Sequence, residues 1–263
     1  KMFVADSQNN RVAGFNSIPT TNGASMNFVL GQTNFTTGTA TAVSASTLSI
    51  PYSVACISSR LYVADRGYHR IVVHNTIPTS NSAASFAIGQ PDLTTAALGT
   101  DYTNVSYLNE PIEILYTGSQ FFIADIMNSR VLVYNALPTA SGATPTYRIG
   151  QSLINGGSIN EGGANPTNTT LARPRGLAFR TGKLAIADTE NHRLVFYDLP
   201  ISNNSPTVTP THQMGQPDFN TGTVPGTTAQ STFNNPRDLL FDGNYIWVQD
   251  RGNNRLQVLA LPF

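Results

Sequence analysis

LAIADTENHRLVFY, residues 184–197, decides the fold, because two short apolar runs flank a six-residue Asp-x-x-x-x-Arg pattern. The pattern occurs five times, always between apolar runs, and neighbouring copies stand 59, 60, 63 and 62 residues apart. The five pairs are Asp6 and Arg11, Asp65 and Arg70, Asp125 and Arg130, Asp188 and Arg193, and Asp250 and Arg255. Self-similarity at a nearly fixed period is typical of repeat architectures, so the chain is interpreted as one tandem array.

Two further landmarks divide each repeat into four strands. A proline stands 14 residues before the Asp, at Pro51, Pro111, Pro174 and Pro236. A Gly-Gln pair closes another apolar run, at Gly31 and Gln32, Gly89 and Gln90, Gly150 and Gln151, and Gly215 and Gln216. Strand A follows the proline, strand B ends on the Asp, strand C starts at the Arg, and strand D ends at Gly-Gln. Short apolar runs bounded by turn residues are typical of strands, and four antiparallel strands per repeat predict the blades of an all-β propeller.

The array contains five repeat units in one predicted domain, residues 1–263. The first unit lacks strand A and the last lacks strand D. Either the ring closes with incomplete blades, or the chain is part of a longer or six-bladed ring. The start at Lys1, almost directly in a strand, favours a longer natural chain.

Composition restricts the partners. Charged residues make up only 11 % of the chain, against roughly 25 % in average soluble domains, and Thr, Ser, Asn and Gly replace them. Such a composition favours an extracellular or cell-surface protein. The charges of the 15 basic and 15 acidic residues cancel. Few basic residues are therefore left to form the basic patch that nucleic-acid binding requires. No apolar run approaches the length of a membrane span, so membrane insertion is not expected. Cys56, the single cysteine, lies in a run that is predicted to be a buried strand.

Four of the five turns, VADSQNNRV, YVADRGYHRI, IADTENHRL and QDRGNNRL, closely resemble the NHL-repeat β-propellers, and IADIMNSRV does so more loosely. The resemblance covers nearly the whole chain, although the repeats exceed the usual 40 to 45 residues of such a blade and the family usually has six. The segments GQTNF, GQPDL and GQPDF resemble a variant known mostly from bacterial surface proteins. The resemblance implies a scaffold, and functions differ widely on one scaffold.

The Asp and Arg of each turn are interpreted as structural, because five copies at one blade position do not indicate a single active site. The Asp is expected to accept hydrogen bonds from the amides of the B–C turn, and the Arg to pair with it. The turn asparagines are expected to adopt the left-handed backbone, at Asn9, Asn128, Asn191 and Asn253. No catalytic residue is assigned.

No cofactor is predicted. His69 and His192 occupy the same turn position in different blades, and no histidine pair stands at ligand spacing, so a transition metal is not expected. Calcium stays open, because loop carbonyls and Asp side chains provide oxygen ligands. GGSINEGG at 156–163 precedes no predicted helix and is interpreted as an ordinary loop rather than a phosphate loop.

Strand alternation places the B–C turns and the D–A loops on one side of the blades, which we call the variable face. The D–A loops span 33–50, 91–110, 152–173 and 217–235. Interface-type side chains on the rim of this face are the predicted binding anchors, namely Tyr68, Met127, Arg251 and Arg66. Charged residues after the blade prolines are predicted to surround the channel mouth, namely Glu113, Arg175 and Arg237. Loops on a rigid scaffold are where binding residues usually lie.

These observations favour a non-enzymatic bacterial surface or secreted propeller that binds a protein or glycan through the variable face. The alternative is an NHL-type lyase or hydrolase with a site at the channel mouth. RNA binding, known for some animal NHL proteins, is disfavoured by the charge count. Neighbouring domains of a longer chain, or a multimer, are also compatible with the array.

Overall fold

The structure, a computed structural model, describes residues 1–98, 106–153, 156–180, 182–261 and 263. These residues form antiparallel β-sheets joined by loops and short 3-10 turns, which confirms the predicted all-β class. The 3-10 turns are Ser7–Asn9, Arg66–Tyr68, Ile126–Asn128, Ile159–Gly162, Thr189–Asn191 and Arg251–Asn253. No helix in the described ranges is long and apolar enough to cross a membrane.

Each repeat is one sheet, which we call blades 1 to 5. Blade 1 contains β1 (Met2–Asp6), β2 (Arg11–Phe15) and β3 (Phe28–Leu30). Blade 2 contains β4 (Pro51–Ile57), β5 (Arg60–Asp65), β6 (Arg70–His74) and β7 (Phe86–Ile88). Blade 3 contains β8 (Pro111–Tyr116), β9 (Phe121–Asp125), β10 (Arg130–Tyr134) and β11 (Tyr147–Ile149). Blade 4 contains β12 (Leu177–Arg180), β13 (Lys183–Asp188), β14 (Arg193–Asp198) and β15 (His212–Met214). Blade 5 contains β16 (Pro236–Asp242), β17 (Tyr245–Asp250) and β18 (Arg255–Ala260).

The described residues divide into two compact units, Lys1–Ile114 with Pro138–Thr144, and Leu115–Leu137 with Pro145–Phe263. In the first unit, apolar side chains of blades 1 and 2 pack together, including Val12, Phe28, Leu61 and Val63. In the second unit, blades 4 and 5 pack in the same way, through Leu194, Phe196, Leu239 and Ile246 among others. The apolar runs beside each Asp-Arg pattern therefore form the cores, because removing their side chains from water stabilises the fold.

Cys56 is exposed, so its predicted place in a buried strand is wrong. The strand itself forms as β4, but β4 lies at the edge of its sheet with β5 as its neighbour in that sheet. Side chains of an edge strand alternate between two environments, and Tyr52 and Cys56 fall on exposed positions of β4.

The segments between strands C and D cover strand D of the preceding blade. In the first unit, the Ala87 amide donates to Ser141 Oγ at 3.0 Å. In the second unit, the Arg148 amide donates to Asn204 Oδ1 at 3.0 Å, and the Ser205 amide donates to the Arg148 carbonyl at 3.1 Å. A C–D segment thus runs along strand D of the preceding blade and covers an edge that would otherwise be open to another strand.

His74, at the end of β6, makes the stability of the first unit depend on pH. Burial lowers the pKa of His74 to about 4, so the ring is neutral in the fold at neutral pH. In the unfolded chain it gains a proton near pH 6.5, so the stability from burying the neutral ring is complete above that pH and is lost as the pH falls toward 4. We expect wild type to lose about 2 kcal/mol relative to His74→Leu between pH 6.5 and 5. Urea unfolding of both proteins at each pH measures the difference, and parallel pH profiles would contradict the assignment.

Candidate binding face

Each of the five Asp-Arg pairs forms an ion pair across its B–C turn. The distance from Arg Nε to Asp Oδ2 is 2.7 or 2.8 Å in every copy. Three pairs are buried, those of Asp65, Asp125 and Asp188, whereas Asp6 and Arg11 retain 28 % and 12 % exposure of their side chains. Burial of both partners makes such a pair costly to break rather than reactive.

The second Asp oxygen has a different partner from the one predicted. Oδ1 of Asp65, Asp188 and Asp250 accepts the amide of a residue 16 positions earlier, from Ser49, Ala172 and Asn234 respectively, each at 2.7 Å. No Asp side chain caps the 3-10 turn that follows it. The turns satisfy their own amides, as in the bond from the His69 amide to the Arg66 carbonyl, so the carboxylate is available to hold the D–A loop instead.

The left-handed residue of each turn is also displaced by one position from the prediction. Asn10, His69, Ser129, His192 and Asn254 adopt that conformation. The preceding asparagines instead donate to the Asp carboxylate, as Asn128 Nδ2 does to Asp125 at 2.9 Å and Asn191 Nδ2 to Asp188 at 2.8 Å. A side-chain bond to a buried carboxylate thus determines where asparagine stands in this turn.

The remaining guanidinium nitrogens hold the D–A loops on either side of the blade. Arg193 Nη1 donates to the Phe219 carbonyl in the loop that follows. Arg193 Nη2 donates to the carbonyls of Thr167 and Thr170 in the loop that precedes, at 2.9 and 3.1 Å. Arg70 repeats the arrangement with Leu93, Ser44 and Thr47. The same arrangement therefore recurs in two blades, and it uses the charged nitrogens of Arg70 and Arg193 in hydrogen bonds to loop backbone.

The Gly-Gln pairs and the segments after them complete this clamp. Gln90 Nε2 donates to the carbonyls of His69 and Ala97, at 3.1 and 2.8 Å. Gly89 and Gly215 have positive φ angles, as a turn out of strand D requires. In GQPDF, Asp218 Oδ1 accepts the Asn220 amide at 2.8 Å and closes a local turn.

Burial and hydrogen bonding act in opposite directions on the turn carboxylates. Burial raises the pKa of Asp65 to about 6 and also raises that of Asp188, while the facing Arg and the loop amide oppose the rise. For Asp250, burial also acts to raise the pKa, but the hydrogen bonds from Asn234, Asn253 and Arg255 outweigh it and the pKa is lowered.

The turn histidines hold the start of the next blade. The Nδ1 atom of His69 accepts the Glu110 amide, and that of His192 accepts the Asn235 amide, both at 3.1 Å. In blade 1, Asn10 Oδ1 accepts the Ile50 amide in the same way, at 2.8 Å. In the described part of the chain, no three His, Cys, Asp or Glu side chains are grouped to hold a metal ion.

The predicted rim anchors differ in how available they are. The Tyr68 hydroxyl donates to the Thr41 carbonyl, and its ring lies 5.3 Å from the Arg70 guanidinium. Arg66 forms an ion pair with Glu110 at 2.6 Å, so part of its charge is used inside the first unit. Met127 is half-buried beside the buried Ile126, and Arg251 is exposed.

The predicted channel-mouth residues fall in both units. Glu113, in the first unit, accepts a hydrogen bond from Ser53 Oγ at 3.2 Å. Arg175 and Arg237, in the second unit, are half-buried. Arg237 Nε is buried and has no hydrogen-bond partner in the described residues. A Cβ on Gly176 would lie 2.7 Å from the Arg237 carbonyl oxygen, so the starts of strand A in blades 4 and 5 approach closely.

A hydroxyl-lined cavity lies in the D–A loop of the first unit, a feature that sequence analysis missed. Its volume is about 430 Å³. Threonines form much of its lining, namely Thr33, Thr36, Thr37, Thr39, Thr41 and Thr47. Of the described residues that line it, none carries a formal charge. The threonine-rich stretch at 33–47 was the available signal. The predicted D–A loops 91–110 and 152–173 include residues 99–105 and 154–155, which lie outside the described residues.

Comparison with known proteins identifies the repeat. Residues 171–197 match the family model of the NHL repeat. The match covers β12, β13 and most of β14, and it includes the buried Asp188 and Arg193. No curated protein matches the chain.

Two solved structures share the fold. The periplasmic gluconolactonase PpgL of Pseudomonas aeruginosa aligns with 95 % of this chain, at 13 % identity and a TM-score of 0.53. A protein of Bacteroides uniformis, provisionally described as a 6-phosphogluconolactonase, aligns with 98 % of it, at 11 % identity and a TM-score of 0.54. The alignments cover 62 % and 65 % of those chains, so the present chain spans less than two thirds of their length. These likenesses, together with the NHL repeat, establish a β-propeller-type fold.

Proposed function

We propose that this protein is a non-enzymatic, secreted or surface-exposed NHL-type propeller that binds a neutral glycan through the variable face. The observation that carries the proposal is the threonine-lined cavity in the D–A loop at 33–47. Hydroxyl and backbone groups without formal charge complement the hydroxyls of a neutral sugar, whereas an acidic or phosphorylated ligand requires cations. The GQPDF-like segments, the low charge and the periplasmic location named for one structural neighbour support an extracytoplasmic site.

The clamp around each B–C turn supports a binding rather than a catalytic role for this face. Its Asp, Arg, Asn, Gln and His side chains are engaged with one another or with loop backbone, as Arg193 and His192 show. What remains variable is the loop surface that the clamp holds. In the first unit, Tyr68 at the rim is the proposed additional contact to the glycan, with Arg66 and Glu113 as weaker candidates. Arg251, Met127, Arg175 and Arg237 lie in the second unit and are proposed separately as contacts of its part of the variable face.

A glycan array probed with the purified protein tests the proposal. We expect retention on neutral glycans, and a loss of about 1 to 2 kcal/mol of binding free energy on Thr39→Val, which removes an exposed hydroxyl at constant shape. Thr76→Val, an exposed position outside the cavity, is the matched control and should bind as wild type does. Absence of neutral-glycan binding, or equal losses in both variants, would refute the proposal. Capture of a protein ligand on the same face, insensitive to Thr39→Val, would replace the glycan with a protein partner.

A second candidate function, hydrolysis of a sugar lactone at the strand A starts of the second unit, is favoured by Arg237. Its buried, unpartnered Nε is a donor suited to an oxyanion, beside the exposed Asp238. The two structural neighbours described as lactonases motivate the substrate. Gluconolactone consumption above the buffer rate, abolished by Arg237→Gln with the fold retained, would establish it in place of the binding function.

A further inference from the structure

A second recess lies in the second unit, away from the D–A loops, where the A–B turns of blades 3 and 4 meet the C–D segment of blade 4. It is an open groove of about 690 Å³. Tyr147, Phe179, Leu199 and Pro200 form its apolar walls, and Gln120 and Asn135 contribute amides. Its size is that of a ligand site, and its composition, apolar with a few placed polar groups, is typical of one.

The groove is uncharged because blade 3 differs from its neighbours at one position. Five residues before the turn Asp, blades 1, 2 and 4 carry Lys1, Arg60 and Lys183, and blade 3 carries Gln120. Lys1 and Arg60 donate to the carbonyls of Pro78 and Pro138, each at 3.2 Å. Because blade 3 has the neutral Gln120 at this position, the groove lacks the positive charge that blades 1, 2 and 4 carry there. The absence of that charge disfavours an anionic ligand.

Gln120 also fixes the wall of the groove. Its Nε2 donates to the Ile201 carbonyl at 2.7 Å, and its Oε1 accepts the Ile201 amide at 2.8 Å. The same Nε2 donates to Asn135 Oδ1 at 2.7 Å. These bonds use the buried amide fully and hold the segment at 199–201 in place, so the groove needs little ordering before it binds.

The groove also presents hydrogen-bond donors, from the Asn135 amide and from hydroxyls that can donate as well as accept, those of Tyr147, Thr117, Ser119 and Ser202. Asn135 uses its Oδ1 for Gln120, which leaves its Nδ2 to donate outward. Tyr147 is half-buried, and its hydroxyl has no hydrogen-bond partner in the described part of the chain. Phe179 is 41 % exposed, although large aromatic side chains usually bury more of their surface. Donors beside exposed rings match a ligand that offers carbonyls and apolar rings.

We infer that this groove binds a proline-rich extended segment of a partner protein in the polyproline II conformation. Proline lacks the backbone N–H, so such a segment presents carbonyls without competing donors, and its rings pack on aromatic side chains. Asn135 and Tyr147 would donate to peptide carbonyls, and Phe179 with Pro200 would contact proline rings. The inference does not rest on the proposed glycan function.

Fluorescence anisotropy with a labelled polyproline peptide and the full chain tests the inference. We expect saturable binding, and a loss of about tenfold in affinity on Phe179→Ala, since exposed aromatic anchors dominate such contacts. Tyr147→Phe removes only the hydroxyl and should weaken binding by a smaller factor. Phe35→Ala, an exposed ring in the first unit, and Thr39→Val in the cavity should leave peptide affinity unchanged.

Two results would overturn the inference. One is the absence of polyproline binding by the wild-type chain, and the other is binding that Phe179→Ala and Tyr147→Phe do not change. Displacement of the peptide by cellobiose at millimolar concentration, with stronger sugar than peptide binding, would show a carbohydrate groove instead. Circular dichroism of each variant confirms that the β-sheet signal is retained, so a loss of binding reports the groove and not the fold.

Discussion

Asp188→Ala is expected to lower the free energy of unfolding by about 3 to 5 kcal/mol, because it leaves the buried guanidinium of Arg193 without its counter-ion. The Asp188 carboxylate accepts from Arg193 Nε, Asn191 Nδ2 and the Ala172 amide, at 2.8, 2.8 and 2.7 Å. Its removal therefore releases the D–A loop as well as the turn. Urea denaturation followed by circular dichroism measures the change.

Asp6→Ala is the matched control, because it breaks the same ion pair in blade 1 where the partners are partly exposed. Solvent screens a partly exposed pair more than a buried one, so this variant should lose clearly less stability than Asp188→Ala does. Combining Asp188→Ala with Arg193→Met should recover part of the lost stability, because no charge is then left buried. Equal losses for Asp188→Ala and Asp6→Ala would show that burial does not determine the cost.

Gly215→Ala is expected to cost about 2 to 5 kcal/mol, because backbone strain and overpacking act together. Gly215 has a φ of +102°, and a Cβ there would lie 2.3 Å from Phe233 Cδ2 and 2.8 Å from the His192 carbonyl oxygen. The ring belongs to the core between blades 4 and 5, so it has little room to move. Thermal or urea unfolding of the variant gives the magnitude.

Gly162→Ala separates the two causes. Gly162 also has a positive φ, of +86°, but a Cβ there would meet no atom within 4 Å. Strain alone should cost about 1 to 2 kcal/mol. Adding Phe233→Leu to Gly215→Ala should recover stability if the steric contact matters, and a double-mutant cycle with no coupling would contradict that explanation.

Several features of this protein could be predicted from local sequence. The strands, the period and the Asp-Arg pairs all depend on residues within a few positions of one another, as in the apolar runs on either side of Asp188 and Arg193. The pattern of apolar residues along the chain and the two opposite charges within one turn are enough to predict these features. The position of the left-handed residue was missed by one, because sequence propensity favours asparagine there and the bond from Asn191 to Asp188 overrides it.

Tertiary structure alone decided what the turns hold and where ligands can bind. The Ala172 amide that Asp188 accepts is 16 residues away, the Thr167 carbonyl that Arg193 reaches is 26 away, and the Asn204 side chain that meets Arg148 is 56 away. The first two spacings recur in blade 2, where Asp65 accepts the Ser49 amide and Arg70 donates to the Ser44 carbonyl, but such contacts form only once the D–A loop has folded back onto its blade. The contact between Arg148 and Asn204 forms only when the C–D segment of blade 4 lies along strand D of blade 3. The groove at Phe179 and the exposure of Cys56 have the same origin, since whether a side chain is covered depends on the neighbouring elements and not on its own strand.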